Sequence, residues 1–237
     1  MRPLNTALIG CGGRGETHAE SLAASDRINF MAVCDLIKER AENFAERFGV
    51  DRIYTKSSEL LKLDGLEAVI VVTQTPEHAP LAIEALEAGK HVLCEKPMAD
   101  SLQAANDMLE AAEKAGKKTA IGYQRRFMPE NQALKEAAAR LDPIQVLYTG
   151  QRGIFMQKYL KFGSAYGVMD SATHEIDFVN WLLAAAPVEV AASFSKNVFT
   201  NTEAIDAVSL QIDYKKGNEI VTGNIISSMG GTGLDNV

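Results

Sequence analysis

Three clusters in this chain carry residues whose types and spacing suit chemistry. The first is Glu95-Lys96-Pro97, which follows the short apolar run Val92-Leu93-Cys94. A lysine just beyond the C-terminal end of a buried strand faces the crevice where open α/β sheets bind ligands. Pro97 fixes its own φ and keeps Lys96 in extended backbone, so the amine is aimed. The second cluster is Gly10-Cys11-Gly12-Gly13-Arg14-Gly15, which fits G-x-G-x-x-G and is followed by Asp35. In that pattern the first glycine makes a tight turn and the second lets backbone approach a pyrophosphate. The third lets helix and strand pack closely, and the later acid accepts hydrogen bonds from an adenosine ribose. The third cluster is Asp170, His174 and Asp177, whose i, i+4, i+7 spacing puts them on one helical face. A histidine exchanges protons near neutral pH, and a carboxylate nearby orients it. The same residues also suit plain structure, with Asp170 as a helix cap and His174 as a satisfied buried histidine.

The elements that must position these groups alternate strand and helix in the first half. Thr6–Ile9, Ile28–Cys34, Glu67–Val72, Val92–Cys94 and Lys118–Gly122 read as strands, the first, third and fourth almost unbroken in apolar character. Such runs suit a parallel sheet buried on both faces. Between them lie helical patterns over 14–24 and 38–48, the latter stopped by Gly49. Thr75-Pro76-Glu77 opens a helix that ends at Gly89, and Asp100 with Gln103 reads as a capping box for the next. The repeated βα order predicts a doubly wound sheet with right-handed crossovers. Thr73 and Thr75, with Pro76 and His78, stand where hydroxyls and a helix N-terminus can meet a cofactor's ribose or phosphates. His78 is equally well read as an ordinary cap-region residue.

After Tyr123 the grammar changes. Helices are predicted over 129–141 and 170–185, with strands over 145–152, 188–198, 206–214 and 219–226. The last strands alternate apolar and polar residues, as in Val208-Ser209-Leu210-Gln211-Ile212-Asp213, which predicts an antiparallel sheet with one covered face. The expected fold class is therefore α/β. A Rossmann-type dinucleotide-binding domain over 1–123 precedes an α+β domain with an open, mainly antiparallel sheet over 124–237.

Composition narrows the function. The net charge of −7 argues against a nucleic-acid or anionic-membrane binder. No apolar run reaches membrane-spanning length, and the N-terminus shows no secretory pattern, so a cytoplasmic protein is expected. Cys11, Cys34 and Cys94 suit neither a disulfide framework nor a zinc site, and read as small buried hydrophobes in a reducing compartment. A carboxylate at Asp35 repels a 2′-phosphate and so favours NAD over NADP, while Lys38 and Arg40 nearby soften that preference.

Together GCGGRG at 10–15, Asp35, TPEH at 75–78, AGKHVLCEKP at 88–97, Gln124-Arg125-Arg126-Phe127 and DSATHEIDFVNWL at 170–182 resemble the Gfo/Idh/MocA oxidoreductases. The resemblance implies hydride transfer between NAD or NADP and a hydroxyl of a sugar, inositol or related polyol, with no metal. It implies cofactor contacts from Gly10, Gly12, Gly13, Arg14, Gly15, Asp35, Thr73, Thr75, Pro76, His78, Glu95, Lys96 and Gln124. It implies catalytic roles for Lys96, Asp170 and His174. Lys96 would hydrogen-bond the developing alkoxide, His174 would take the hydroxyl proton, and Asp170 would orient the substrate or His174. The Lys96-Pro97 bond is cis in some relatives, and the second-domain sheet often forms a homo-oligomer contact. Two further activities occur in the family: glycoside cleavage with a retained cofactor, and non-catalytic dinucleotide sensing. The loop Gly163-Ser164-Ala165-Tyr166-Gly167 is less glycine-dense than in many members, which leaves the substrate open. Members are also usually longer, with further strands expected after Val237.

Overall fold

In a computed structural model of the 237-residue chain, the described residues are 2–141, 143, 145–153, 166–195, 205 and 207–231. For 151–153, 166–171 and 229–231 only the backbone is described. The chain divides into two compact units, Met1–Gly122 and Tyr123–Val237.

The first unit is built as β1 (Leu4–Ile9), α1 (Gly13–Ala23), β2 (Ile28–Cys34), α2 (Lys38–Phe48) and β3 (Arg52–Tyr54). It continues with α3 (Ser57–Leu60), β4 (Ala68–Val71), α4 (His78–Glu87), β5 (His91–Cys94), α5 (Leu102–Ala115) and β6 (Thr119–Ile121). The six strands form a parallel sheet in the order β3-β2-β1-β4-β5-β6. Side chains alternate across a strand, so continuous apolar runs supply two cores. Ala7, Ile9, Val69 and Val71 pack towards α3, α4 and α5. Leu8, Val33 and Ile70 pack towards Ala19 and Leu22 of α1 and Phe44 of α2. Strand order reverses between β1 and β4, which places a crevice at their C-terminal ends.

Three local readings are corrected. β3 and α3 carry no sequence signal, since each is a turn or less long and β3 is largely exposed. The cap of α5 is Ser101, not Asp100: the Ser101 hydroxyl accepts from the Ala104 amide at 3.2 Å. That shifts the frame by one residue, so Gln103 bonds Asp107 instead of closing a capping box. The stretch Thr75–Glu77 forms a 3₁₀ turn, and α4 proper begins at His78.

The second unit contains α6 (Pro129–Leu141), β7 (Gln145–Gly153), α7 (Tyr166–Leu183), β8 (Ala186–Ser195), β9 (Ala207–Lys216) and β10 (Glu219–Gly231). Its sheet runs β7-β10-β9-β8, antiparallel except for the β7–β10 pair. The period-2 pattern of β9 turns Val208, Leu210, Ile212 and Tyr214 onto Ala172, Val179 and Leu183 of α7. Gly223 permits this approach, because a Cβ there would lie 2.9 Å from the Tyr214 ring and 3.0 Å from Val179. The buried Tyr214 hydroxyl donates to Asn180 at 2.6 Å, and burial pushes its pKa up to about 12. Lys135 of α6 donates to the Trp181 and Leu182 carbonyls at the C-terminal end of α7, where a cation is favoured. α7 starts four residues before the predicted helix, so Asp170 lies inside it and not at its cap. The predicted strand over 188–198 becomes Ala186–Ser195, and 196–198 lie outside the described residues.

Candidate active site

The turn after β1 shows why two of its glycines sit where they do. Gly10 has φ +110°, and a Cβ there would lie 2.4 Å from the Val72 carbonyl oxygen. A Cβ on Gly15 would lie 2.3 Å from the Gly10 carbonyl oxygen, so α1 can lie on β1 only without a side chain. At Gly12 the opposite holds: an added Cβ meets no atom within 4 Å. Gly13 is equally open. Gly12 is the N-cap of α1 and no side chain bonds the helix end. An exposed helix N-terminus over open space presents oriented N–H groups to an anion, which fits a dinucleotide's phosphates.

Asp35 directly follows β2 and is buried. Its carboxylate accepts from the Cys11 amide at 2.9 Å and from the Ile37 amide at 2.9 Å, with Arg40 Nη1 at 3.5 Å. A carboxylate has about four lone-pair positions, so these contacts leave room for ribose hydroxyls. Beside it opens a cavity of about 380 Å³ bounded by Cys11, Ile37, Arg40 and Phe44. The three thiols take no part. All are buried, and burial, reinforced by nearby carboxylates, pushes Cys11 and Cys94 up to about 12 and Cys34 to about 11.

Glu95 is the hub of the β5 end. Its Oε1 accepts from Arg14 Nε at 2.9 Å and contacts His18 Nε2 at 2.8 Å, while Oε2 accepts from the Lys96 amide at 3.1 Å. Its carboxylate fills the space in front of Gly122, where a Cβ would lie 3.2 Å from it. The glycine-rich turn, α1 and the end of β6 are thus tied to the residue preceding Lys96. Burial works against the charge of Glu95, but His18 and Arg14 outweigh it and hold the carboxyl at about 2. The Lys96-Pro97 peptide is cis. His78 is buried, with Nδ1 2.7 Å from the Pro97 carbonyl oxygen and Nε2 3.2 Å from that of Thr73. Thr75 is buried in the same turn, and Pro76 is exposed.

In the second unit, the 3₁₀ turn Gln124–Phe127 is bound to α7 by two arginines. Arg125 Nη1 donates to Tyr148 at 2.7 Å and to the wholly buried Glu175 at 3.2 Å. Arg126 grips Asp177 through Nε at 2.8 Å and through Nη2. Asp177 is therefore engaged by an arginine, not simply left on a face with His174. His174 is buried on the same helix, with the Tyr123 ring edge-on at 6.0 Å. Gln124 is exposed on the turn. Asp170 lies on the same helix, one turn before His174, and its side chain is outside the described residues.

Residues 4–123 match the family known as Gfo/Idh/MocA, an oxidoreductase family with an NAD-binding Rossmann fold. The chain belongs to this family. It is 36% identical over 180 residues to an inositol 2-dehydrogenase of Rubrobacter xylanophilus, covering 74% of this chain and 51% of that one. It is 35% identical over 129 residues to a 4-carboxy-2-hydroxymuconate-6-semialdehyde dehydrogenase of Sphingobium, covering 54% of this chain and 41% of that one. Among solved structures, an NAD-binding oxidoreductase from Klebsiella pneumoniae superposes with a TM-score of 0.84 at 28% identity, covering 98% of this chain and 68% of that one. The chain spans about half the length of the curated relatives it matches.

Within this family fold, sequence reasoning missed His18, Tyr123 and Glu175 as parts of the two clusters. His18 stands four residues after Arg14, a spacing that puts both on one face of α1 and was the available signal. Glu175 carries none, since its partner Arg125 is 50 residues away.

Proposed function

We propose that the chain belongs to an NAD-dependent dehydrogenase that oxidises a hydroxyl carbon of an inositol, sugar or related polyol. The observation that carries this reading is the Glu95 hub, which ties the glycine-rich turn to the backbone of Lys96. A lysine held next to a dinucleotide site is suited to the oxygen of a reacting alcohol. The inositol 2-dehydrogenase relative supports the polyol class. The Sphingobium relative marks a different substrate at similar identity, so the polyol assignment needs its own test.

NAD supplies the hydride acceptor when bound. Gly10, Gly12, Gly13 and Gly15 shape the backbone against its phosphates, with Arg14 beside them. Asp35 accepts from the ribose hydroxyls, and Thr73, Thr75, Pro76 and Gln124 complete its surroundings. The Asp35 charge makes NADP the weaker cofactor. His174 accepts the proton of the substrate hydroxyl, and Asp170 orients it or the substrate. Lys96 donates a hydrogen bond to the oxygen as negative charge develops there, stabilising the alkoxide. We assign residues 1–123 to the cofactor domain and 124–237 to the substrate domain.

Oligomerisation through the second-unit sheet and a cytoplasmic location complete the proposal. The sheet leaves Leu147, Val190, Phe194 and Ile226 exposed, an apolar set suited to a second copy. The buried thiols fit a reducing compartment. Among the described residues no helix is long and apolar enough to cross a membrane. The test is NAD reduction with a panel of inositols, sugars and aldehydes, repeated with NADP. Turnover with a cyclic polyol and preference for NAD are expected. Turnover confined to aldehydes would overturn the substrate class.

A further inference from the structure

His78 occupies a position that a cofactor ligand would not choose. Its side chain is 2% exposed, and each ring nitrogen faces a backbone carbonyl. Carbonyls only accept hydrogen bonds, so a ring nitrogen bonds one only through its own N–H; the shorter contact, 2.7 Å, assigns that N–H to Nδ1, donating to Pro97. Pro97 has no N–H, and its carbonyl is its one backbone polar group. Thr73, the second contact, lies in the turn after β4, the strand paired to β5 through Val71 and Cys94. Standing at the start of α4, the ring therefore lies against that turn and bonds the residue directly after Lys96. On the other side of Lys96, Glu95 is held by Arg14 and His18. The lysine backbone is fixed from both directions, and the His78 ring is directed at the protein and away from solvent.

We infer that His78 is a positioning residue, which holds the Lys96 turn through the Pro97 carbonyl, and not a ligand of the dinucleotide. This rests on Lys96 being the group that addresses the substrate oxygen. A displacement of about 1 Å at such a group costs on the order of a hundredfold in rate, so the bond matters without touching any ligand.

The experiment compares His78→Asn with His78→Gln in the full chain. The Asn amide nitrogen falls close to Nδ1 and retains the Pro97 bond, whereas the Gln amide reaches the Thr73 side. Three quantities are read: polyol turnover, NADH affinity by titration, and the rate at which acetic anhydride acylates Lys96, with acetate as leaving group, followed by mass spectrometry. For His78→Gln, kcat is expected to fall roughly ten- to a hundredfold and the Lys96 acylation rate to change, while NADH affinity stays within about twofold. His78→Asn is expected to recover most of both. A parallel loss of NADH affinity of about tenfold or more in both variants would make His78 a cofactor ligand and overturn the inference. Equal loss of turnover in both variants would reduce His78 to general packing and overturn it too. If the wild-type chain oxidises no polyol, the dehydrogenase reading fails by itself. The acylation rates then decide, and an unchanged Lys96 rate in His78→Gln overturns the positioning role.

Discussion

The two units build their functional surfaces from different materials. The cofactor side of the first is backbone and missing side chains: at Gly10 and Gly15 a Cβ would strike a carbonyl, and Gly12 faces open space. The α7 side of the second is paired charge with buried carboxylates: Arg125 on Glu175 and Arg126 on Asp177, on the helix that carries His174. A backbone site recognises a constant part of a ligand, since its shape hardly depends on neighbouring residues. A site set by charged pairs can be retuned by substitution, which suits the substrate role proposed for the second unit.

The largest expected effect tests the second half of this contrast. Glu175→Ala leaves Arg125 largely buried without its carboxylate, which typically costs about 3–5 kcal/mol. Denaturant unfolding of the full chain measures it. A loss no larger than that of a surface substitution would show that the pair does not hold the turn to α7.

Next comes a paired glycine test. Gly15→Ala is expected to lose about 1–3 kcal/mol of stability from overpacking, together with NADH affinity. Gly12→Ala should leave the melting temperature unchanged and still lose about tenfold or more in NADH affinity, because its Cβ enters only the ligand's space. If both behave alike, the distinction between packing glycine and phosphate-approach glycine fails.

A smaller effect concerns Glu95. Its folded pKa is depressed to about 2, so its contribution is present above the ordinary glutamate range and is lost as pH falls towards 2. The stability gap between wild type and Glu95→Gln should be widest near neutrality and shrink between about pH 4 and pH 2. A gap independent of pH would contradict the hub. The smallest effect is expected at Arg2 and Glu67, an exposed bidentate pair at 2.6 Å. Arg2→Ala should shift the melting temperature too little to resolve, because water and salt screen such pairs.

The same contrast explains what could be read from sequence. Strands buried on two faces announce themselves as apolar runs, and the glycine spacing carries the steric demands of its turn. The three-residue β3 has no such pattern. Asp100 and Ser101 are both good caps, and only the extended backbone of Ser101 places a hydroxyl on the Ala104 amide. The His174 helix was legible as an i, i+4 spacing. Its arginine partners were not, since ion pairs across 50 and 51 residues leave no local trace.

The central claim is that Lys96 and His174 act on a polyol hydroxyl while the glycine turn and Asp35 hold NAD. Its most direct test measures polyol turnover and NADH affinity side by side in Lys96→Ala and His174→Ala. Each variant is expected to lose about a hundred- to ten-thousandfold in kcat with NADH still bound. Near-full turnover in both variants would contradict the account.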